Sequence, residues 1–398
     1  MEHDIDRSEG LAIPGVYRNQ IARAQRYDVN YANKYIEYAN VGDPHLDRVM
    51  EELADLPPTE FHKFTRAAIE QESENFQQAP KVFREFFEDH VGEPEWLDFE
   101  AHKPAVVAFH LNATNVLVGF VTGVLIEGFT TLIAKSFAAT GRVLQPSTAK
   151  RRLSQNNRHL LESYMPSGLK RYGDGWKLSM RLRFIHAKVR YLIRHADGAW
   201  DEDFFGLPIS SAHLGFAAAQ FSMRLLHHAK RVGAVFSKDD QASIMELWRY
   251  VSYVMGVPEE MLYKDIEEAE KIWQAGLLCE PLPQPDSIKM CNALIQAIPL
   301  TAGITDQKEH DSIIHLGYVL SRSLIGHEMA DHLEFPKKNT VAALPLWRLK
   351  SHFQRFIRGK QATKQFNFSS MLEVSAYDSP DTTYQMPTHH LNSESEAW

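Results

Sequence analysis

Cysteine is almost absent from this 398-residue chain: Cys279 and Cys291 are the only two. Two thiols build neither a disulfide framework nor a Cys-rich metal site, so stability has to come from a packed core. The chain is long enough to bury one, and its 44% hydrophobic and 24% charged content is ordinary for a globular protein. Alternating apolar–polar runs of useful length are also missing, as is any internal repeat, which leaves little material for a sheet or a solenoid. Positive charge is in deficit. Lys and Arg number 43 against 51 Asp and Glu, a formal net charge of −8, which argues against a nucleic-acid surface. No GxSxG, no P-loop and no GxGxxG in a strand–turn–helix setting occurs, so nucleophile-elbow, nucleotide and dinucleotide chemistry fall away. Paired Glu-x-x-His motifs on separate helices are lacking too, which leaves a di-iron bundle unsupported. The opening residues MEHDIDRSEG are acidic and carry no apolar core, unlike a secretory signal. With scarce cysteine, the expectation is a cytoplasmic protein.

What is present is helical periodicity almost everywhere. The run NVLVGFVTGVLIEGFTTLIA, residues 115–134, imitates a membrane span but carries Glu127 near its middle. A carboxylate there costs about 2.5–3.5 kcal/mol on insertion scales, so the run reads as the buried hub helix of a globular body, over about residues 103–139. Gly119 and Gly123 form a GxxxG pair that lets another helix or a flat cofactor approach closely. Membrane contact stays open, because hub and interfacial helices share a composition. Further helices are expected over residues 59–71, 80–90 and 148–164, the last capped by Ser147. Others are expected from an Asp174 cap to about 198, over 210–232, and from a Ser237–Asp240 capping box to Gly256. Two more follow a proline-rich linker at 280–285, over 286–298 and 306–333, and a basic helix spans 342–359. The expected organisation is an N-terminal extension (1–40), one all-α domain around the hub helix (41–375), and a polar, disordered tail (376–398).

The most informative stretch is Arg181-Leu-Arg-Phe-Ile-His186-Ala-Lys-Val-Arg190. At 100° per residue, Arg190 lies about 40° from His186 around the helix and Arg183 about 60° the other way. Leu182, Val189 and Ile193 share that sector, so the imidazole faces inward. An inward His between two cations suits an iron porphyrin, His binding iron and Arg183 and Arg190 pairing with propionates. The bland reading is a hydrogen-bonded core histidine, which is the commoner fate of a lone His on an apolar face. On the preceding helix Arg152, Gln155 and Asn156, at i, i+3 and i+4, share one side, and could face His186 across a slot. Glu127 either pairs with Arg142 or Arg152, or is an acid–base group of raised pKa beside a pocket. His327-Glu-Met-Ala-Asp-His332 looks like a zinc signature, but its histidines lie about 140° apart and cannot share a face.

Taken in order, these segments resemble an oxygenase family, the one containing bacterial latex clearing protein (rubber oxygenase) and fungal MpaB-type oxygenases. Glu95-Trp-Leu-Asp98 precedes the hub, and Thr140-Gly-Arg142 leads to Arg152-Leu-x-x-Asn156. Arg183-Phe-Ile-His186-Ala-Lys-Val-Arg190 is the family's most distinctive segment. Gly206-Leu-Pro208-Ile209, Phe221-Ser222 and Trp248…Gly256-Val-Pro-Glu-Glu260 follow. The likeness covers about residues 90–265. It implies an all-helical fold with a b-type heme between helices, His186 as the iron's proximal ligand and Arg152 on the distal side. The latex-clearing branch has Lys-Thr where this chain has Gln155-Asn156. The resemblance therefore implies an open or water-bound iron, with Gln155 or Asn156 hydrogen-bonding dioxygen, and it argues against rubber as the substrate.

The resulting expectation is a heme b-dependent oxygenase that takes O₂ and an apolar, unsaturated, isoprenoid-like small molecule or polymer and cleaves a carbon–carbon double bond. Arg152, Gln155, Asn156 and Glu127 are its candidate catalytic residues. Two alternatives stay open: a heme- or lipid-binding helical protein without turnover, and a structural protein in which His186 is simply core.

Overall fold

The computed structural model describes residues 10–140, 145–377, 379, 386 and 387. Among them there are helices and turns and no strand, so the all-α class holds. The expected tail falls largely outside these residues, as does Arg142.

The hub helix runs over Lys103–Gly119, passes through a π-helical turn at Phe120–Val124, and continues over Leu125–Phe129. The stretch Phe99–Phe129 is long and apolar enough to cross a membrane, yet 67% of its most apolar window is buried inside the protein. It ends ten residues earlier than periodicity suggests. The hydroxyls of Thr130 and Thr131 donate to the carbonyls of Glu127 (2.6 Å) and Gly128 (2.7 Å), competing with the helical ladder. The Leu132 N–H turns instead to the carboxylate of Glu280 at 2.7 Å. A separate short helix, Ile133–Ala138, then begins.

The hub's closest partner is the chain from Ser211 to Arg231. There too two α-helical pieces, Ser211–Ala219 and Leu225–Arg231, flank a π turn, Gln220–Arg224. The GxxxG pair is what lets them meet. A Cβ on Gly119 would stand 2.8 Å from the backbone nitrogen of Ala229, and one on Gly123 would stand 2.6 Å from the His228 ring. It is therefore a helix, not a flat cofactor, that lies on the two glycines.

The helix Pro146–Ser163 packs on Asp174–Arg194, Asp174–Arg194 packs on Lys238–Val254, and Lys238–Val254 packs on this pair. Ser147 lies inside the first rather than capping it, and Gly173 rather than Asp174 caps the second. The Ser237–Asp240 capping box is present. The expected 306–333 helix is broken by Gly326 (φ 91°) into Gln307–Ile325 and His327–His332. The basic helix extends to Val374, with a kink at Gly359 (φ 70°). Residues set apart as an extension join the body: Ile21–Tyr27 and Val29–Tyr38 pack on the helix Ile266–Cys279, and Tyr17 and Tyr35 are fully buried.

Gly119→Ala pushes a methyl group into backbone that has no rotamer with which to yield. It is expected to destabilise the protein by about 1–3 kcal/mol, read as a lower urea midpoint at unchanged slope.

Candidate active site

The imidazole helix, Asp174–Arg194, sends Leu178, Leu182, Ile185, Val189 and Ile193 into a buried apolar cluster of their own. His186 borders that cluster and opens on to an internal cavity of about 180 Å³. The walls are mainly apolar. Val124, Leu125 and Phe129 of the hub, Ile133 and Phe137 of the next helix, and Leu214, Ala217, Ala218 and Phe221 across from them supply most of the surface. Both π turns border it, through Val124 and through Gln220 and Phe221. The Gln220 side-chain amide donates to the Val124 carbonyl at 2.9 Å, so one widened turn satisfies the other.

Into this apolar space project a few polar groups. Arg152, Asn156 and His159 stand at i, i+4 and i+7 of the helix Pro146–Ser163, and His186 and His213 come from other elements. Burial, helped by the charges of Arg190 and Arg152 and by His159, pushes the His186 imidazole down to about 3. The ring is therefore neutral at physiological pH. Its Nδ1 is buried and has no hydrogen-bond partner among the described residues, which a buried polar atom tolerates poorly unless something else takes its lone pair or proton.

His159 is constrained differently. The Ser179 hydroxyl donates to the Gly175 carbonyl (2.7 Å), so toward His159 Nε2, at 2.9 Å, it must accept. The His159 proton is thereby placed on Nε2, leaving the Nδ1 lone pair open, and burial holds the ring's pKa at about 4. The sequence reading passed over this residue, although it continues the Arg152–Asn156 face by one turn. It passed over His213 as well, and no periodic signal marks that one.

Four candidates stand elsewhere. Arg183 makes a two-point contact with Asp43 (Nε to Oδ2 2.6 Å, Nη2 to Oδ1 3.1 Å). Arg190 binds Asp47 through Nε (2.9 Å) and Nη2 (2.9 Å), and the carbonyl of Ile209 through Nη1 (2.6 Å). Neither arginine lines the cavity. The expectation that they pair with propionates is corrected, because two carboxylates of the segment at 43–52 already neutralise them. Glycine makes room for both pairs: a Cβ on Gly256 would come within 2.4 Å of Asp43, and one on Gly42 would overlap Asp47. Gln155 is buried beside Arg152 (3.4 Å from Nη1) rather than on the wall. Glu127 pairs with Arg224 (Nε to Oε2 2.9 Å) and His228 (3.0 Å), not with Arg152. Burial alone would raise its pKa, but the charge and hydrogen bond of His228 and those of Arg224 outweigh it and hold the carboxyl at about 2. The acid–base reading of Glu127 is thus corrected: it is a fixed anion off the cavity.

His213 is anchored from behind. Its Nε2 lies 3.2 Å from Glu280, which also accepts from Tyr35 (2.7 Å), Tyr17 (3.2 Å) and the Leu132 N–H (2.7 Å). Burial would raise the Glu280 pKa, but the donors around it keep the carboxyl below its ordinary value. His327 of the zinc-like sequence lies 3.2 Å from the Thr340 hydroxyl and 3.4 Å from an Arg322 nitrogen, while Asp331 pairs with Arg322 at 2.7 Å.

A family model described as "ER-bound oxygenase mpaB/B'/Rubber oxygenase, catalytic domain" matches residues 107–358. The chain belongs to this oxygenase family. No curated protein and no solved structure matches it. The matched span of this mpaB/rubber-oxygenase member contains the hub from residue 107 onward, His186, Arg152, Asn156 and His159, but not Asp43, Asp47, Tyr17 or Tyr35.

Asp43→Ala in this oxygenase-family protein leaves Arg183 buried without a counter-ion. A loss of about 3–5 kcal/mol is expected by chemical denaturation. Acid acts in the same direction. Asp43 and Glu127 have depressed folded-state values, and their stabilisation, present above the unfolded carboxyl range, is lost as pH falls through them. His159, depressed to about 4 from 6.5, must stay neutral in the fold while the unfolded chain takes a proton. Stability is therefore expected to fall from pH 6.5 downward, by up to about 1.4 kcal/mol per pH unit from this histidine alone. Denaturation midpoints that stay level between neutral pH and pH 4 contradict the assignment.

Proposed function

We propose that the protein is a heme b-dependent oxygenase whose substrate is apolar and unsaturated, such as an isoprenoid, and whose reaction is oxidative cleavage of a carbon–carbon double bond. The observation that carries this reading is the neutral His186 imidazole on the wall of an apolar cavity, its Nδ1 without a hydrogen-bond partner among the described residues. The residues present are compatible with a heme: the neutral imidazole of His186 would hold the iron, and the aliphatic and aromatic walls would pack on the porphyrin. For propionates, Arg183 and Arg190 do not fit, since aspartates hold them, and Arg152 is the guanidinium on the wall. When bound, a heme would supply the activation of dioxygen that the side chains cannot.

The chain's own residues have separate tasks. The apolar walls take up the substrate and exclude water, which strengthens every polar contact inside. Arg152 and Asn156 present N–H donors to charge that develops on oxygen, and one well-placed donor in such a site is worth about 3 kcal/mol. His159, held neutral by burial and with its Nε2–H donated to Ser179, keeps an Nδ1 lone pair that can accept a hydrogen bond. Binding of heme or lipid without turnover is the second reading. It is favoured by Gln155, which stands in place of the latex-clearing lysine and lies off the wall.

Purified protein titrated with hemin is expected to develop a Soret band that His186→Ala loses. Arg152→Ala is expected to keep the band and lower kcat for alkene-dependent O₂ uptake by about 100-fold. Protein that stays colourless after hemin ends the heme reading. A stable coloured complex that consumes no oxygen with any alkene favours binding without turnover.

A further inference from the structure

The first part of the C-terminal helix, from Ala343 to the kink at Gly359, is turned inside out. Its polar residues face the protein. Trp347 Nε1 and Ser351 Oγ donate to the Asn115 side chain (3.3 and 3.0 Å), Arg348 donates to the Arg231 carbonyl (2.8 Å), and Arg355 donates to the Asn112 side chain (3.2 Å). Its large apolar residues face outward. Leu346, Leu349, Phe353, Phe356 and Ile357 are 63–85% exposed, and at 100° per residue they fall within a sector of about 100°. Val341, 85% exposed, precedes them. An apolar stripe of this kind on a helix pinned by polar bonds is a built surface rather than a frayed end.

Charge selects what covers it. Residues 335–372 contain eight Lys and Arg and no Asp or Glu, in a chain of net charge −8. Lys350, Arg358 and Lys360 are exposed beside the stripe. A second copy docking through the same face would set this cationic segment against itself. A bilayer with anionic headgroups satisfies both halves of the surface: acyl chains take the Phe and Leu side chains, and phosphate and carboxylate groups take the ammonium and guanidinium groups. We infer that this helix is an interfacial membrane anchor: it lies in the plane of an anionic lipid surface with Leu349, Phe353 and Phe356 inserted. This contact is independent of the heme reading, because no residue of the helix lines the cavity.

The test is flotation of the full chain with phosphatidylcholine vesicles, with and without phosphatidylserine. The protein is expected to float with the anionic vesicles, to be released by added salt, and to bind neutral vesicles far more weakly. Changing Lys350, Arg358 and Lys360 together to Gln is expected to lower the partition coefficient about 100-fold, at about fivefold per charge. Changing Leu349, Phe353 and Phe356 to Gln is expected to abolish flotation without moving the thermal midpoint. Leu282→Gln, which alters an exposed apolar residue elsewhere, is expected to leave binding unchanged. The inference is overturned by failure to bind anionic vesicles, by equal binding to neutral ones, by a Leu282→Gln loss as large as that of the stripe variant, or by stripe-dependent dimers that ignore vesicles.

Discussion

An imidazole that points into a cavity needs its helix held at one rotation about its axis, because rolling the helix carries the ring off the wall. Apolar packing alone holds rotation loosely. On the helix Asp174–Arg194 it is fixed by the two guanidinium–carboxylate pairs that straddle His186, one three residues before it and one four residues after. Buried pairs of this kind contribute little net stability, but each forbids alternatives in which a charge would be left alone. They also hold the segment at 43–52 against the helix, with Gly42 and Gly256 leaving the space they need.

The cavity is made by a second device. Both the hub and the helix opposite widen into a π turn at the level of the cavity, and the loosened carbonyls are taken up locally. Thr122 donates to Val118, Ser222 to Ala218, and Gln220 to Val124. A π turn shifts the register of the residues that follow it, so the apolar face before the turn and the cavity-lining face after it need not be the same face. This is how one helix can seat a neighbour on Gly119 and Gly123 and, a turn later, present Val124, Leu125 and Gly128 to the cavity.

Much of this was legible in the residue pattern. The helices around the hub follow from the spacing of apolar side chains, the His186 sector from 3.6-residue periodicity, and the Arg152–Asn156 face from i, i+4 spacing. The destinations of the charged groups were not legible. Periodicity places Arg183 and Arg190 beside His186 but says nothing of aspartates 140 residues away, which meet them only through tertiary packing. For the same reason Glu127, correctly read as a charge needing a partner, found Arg224 and His228 rather than Arg152. His159 was within reach, since it extends a face already noticed. His213 was not, because its place depends on Glu280, which lies in a proline-rich connection. The outward stripe of the basic helix escaped notice because a helical wheel does not say which side meets the protein.

The four anchoring side chains Tyr17, Tyr35, Asp43 and Asp47 all lie upstream of residue 107, where the family match begins. The homologous stretch is thus not self-sufficient as a polypeptide: cut out at its family boundaries, it would carry two orphaned guanidinium groups and a Glu280 stripped of both phenols. The leading hundred residues behave as a built-in counter-ion supply, and whatever replaces them in a shortened protein must bring anions to the same two places.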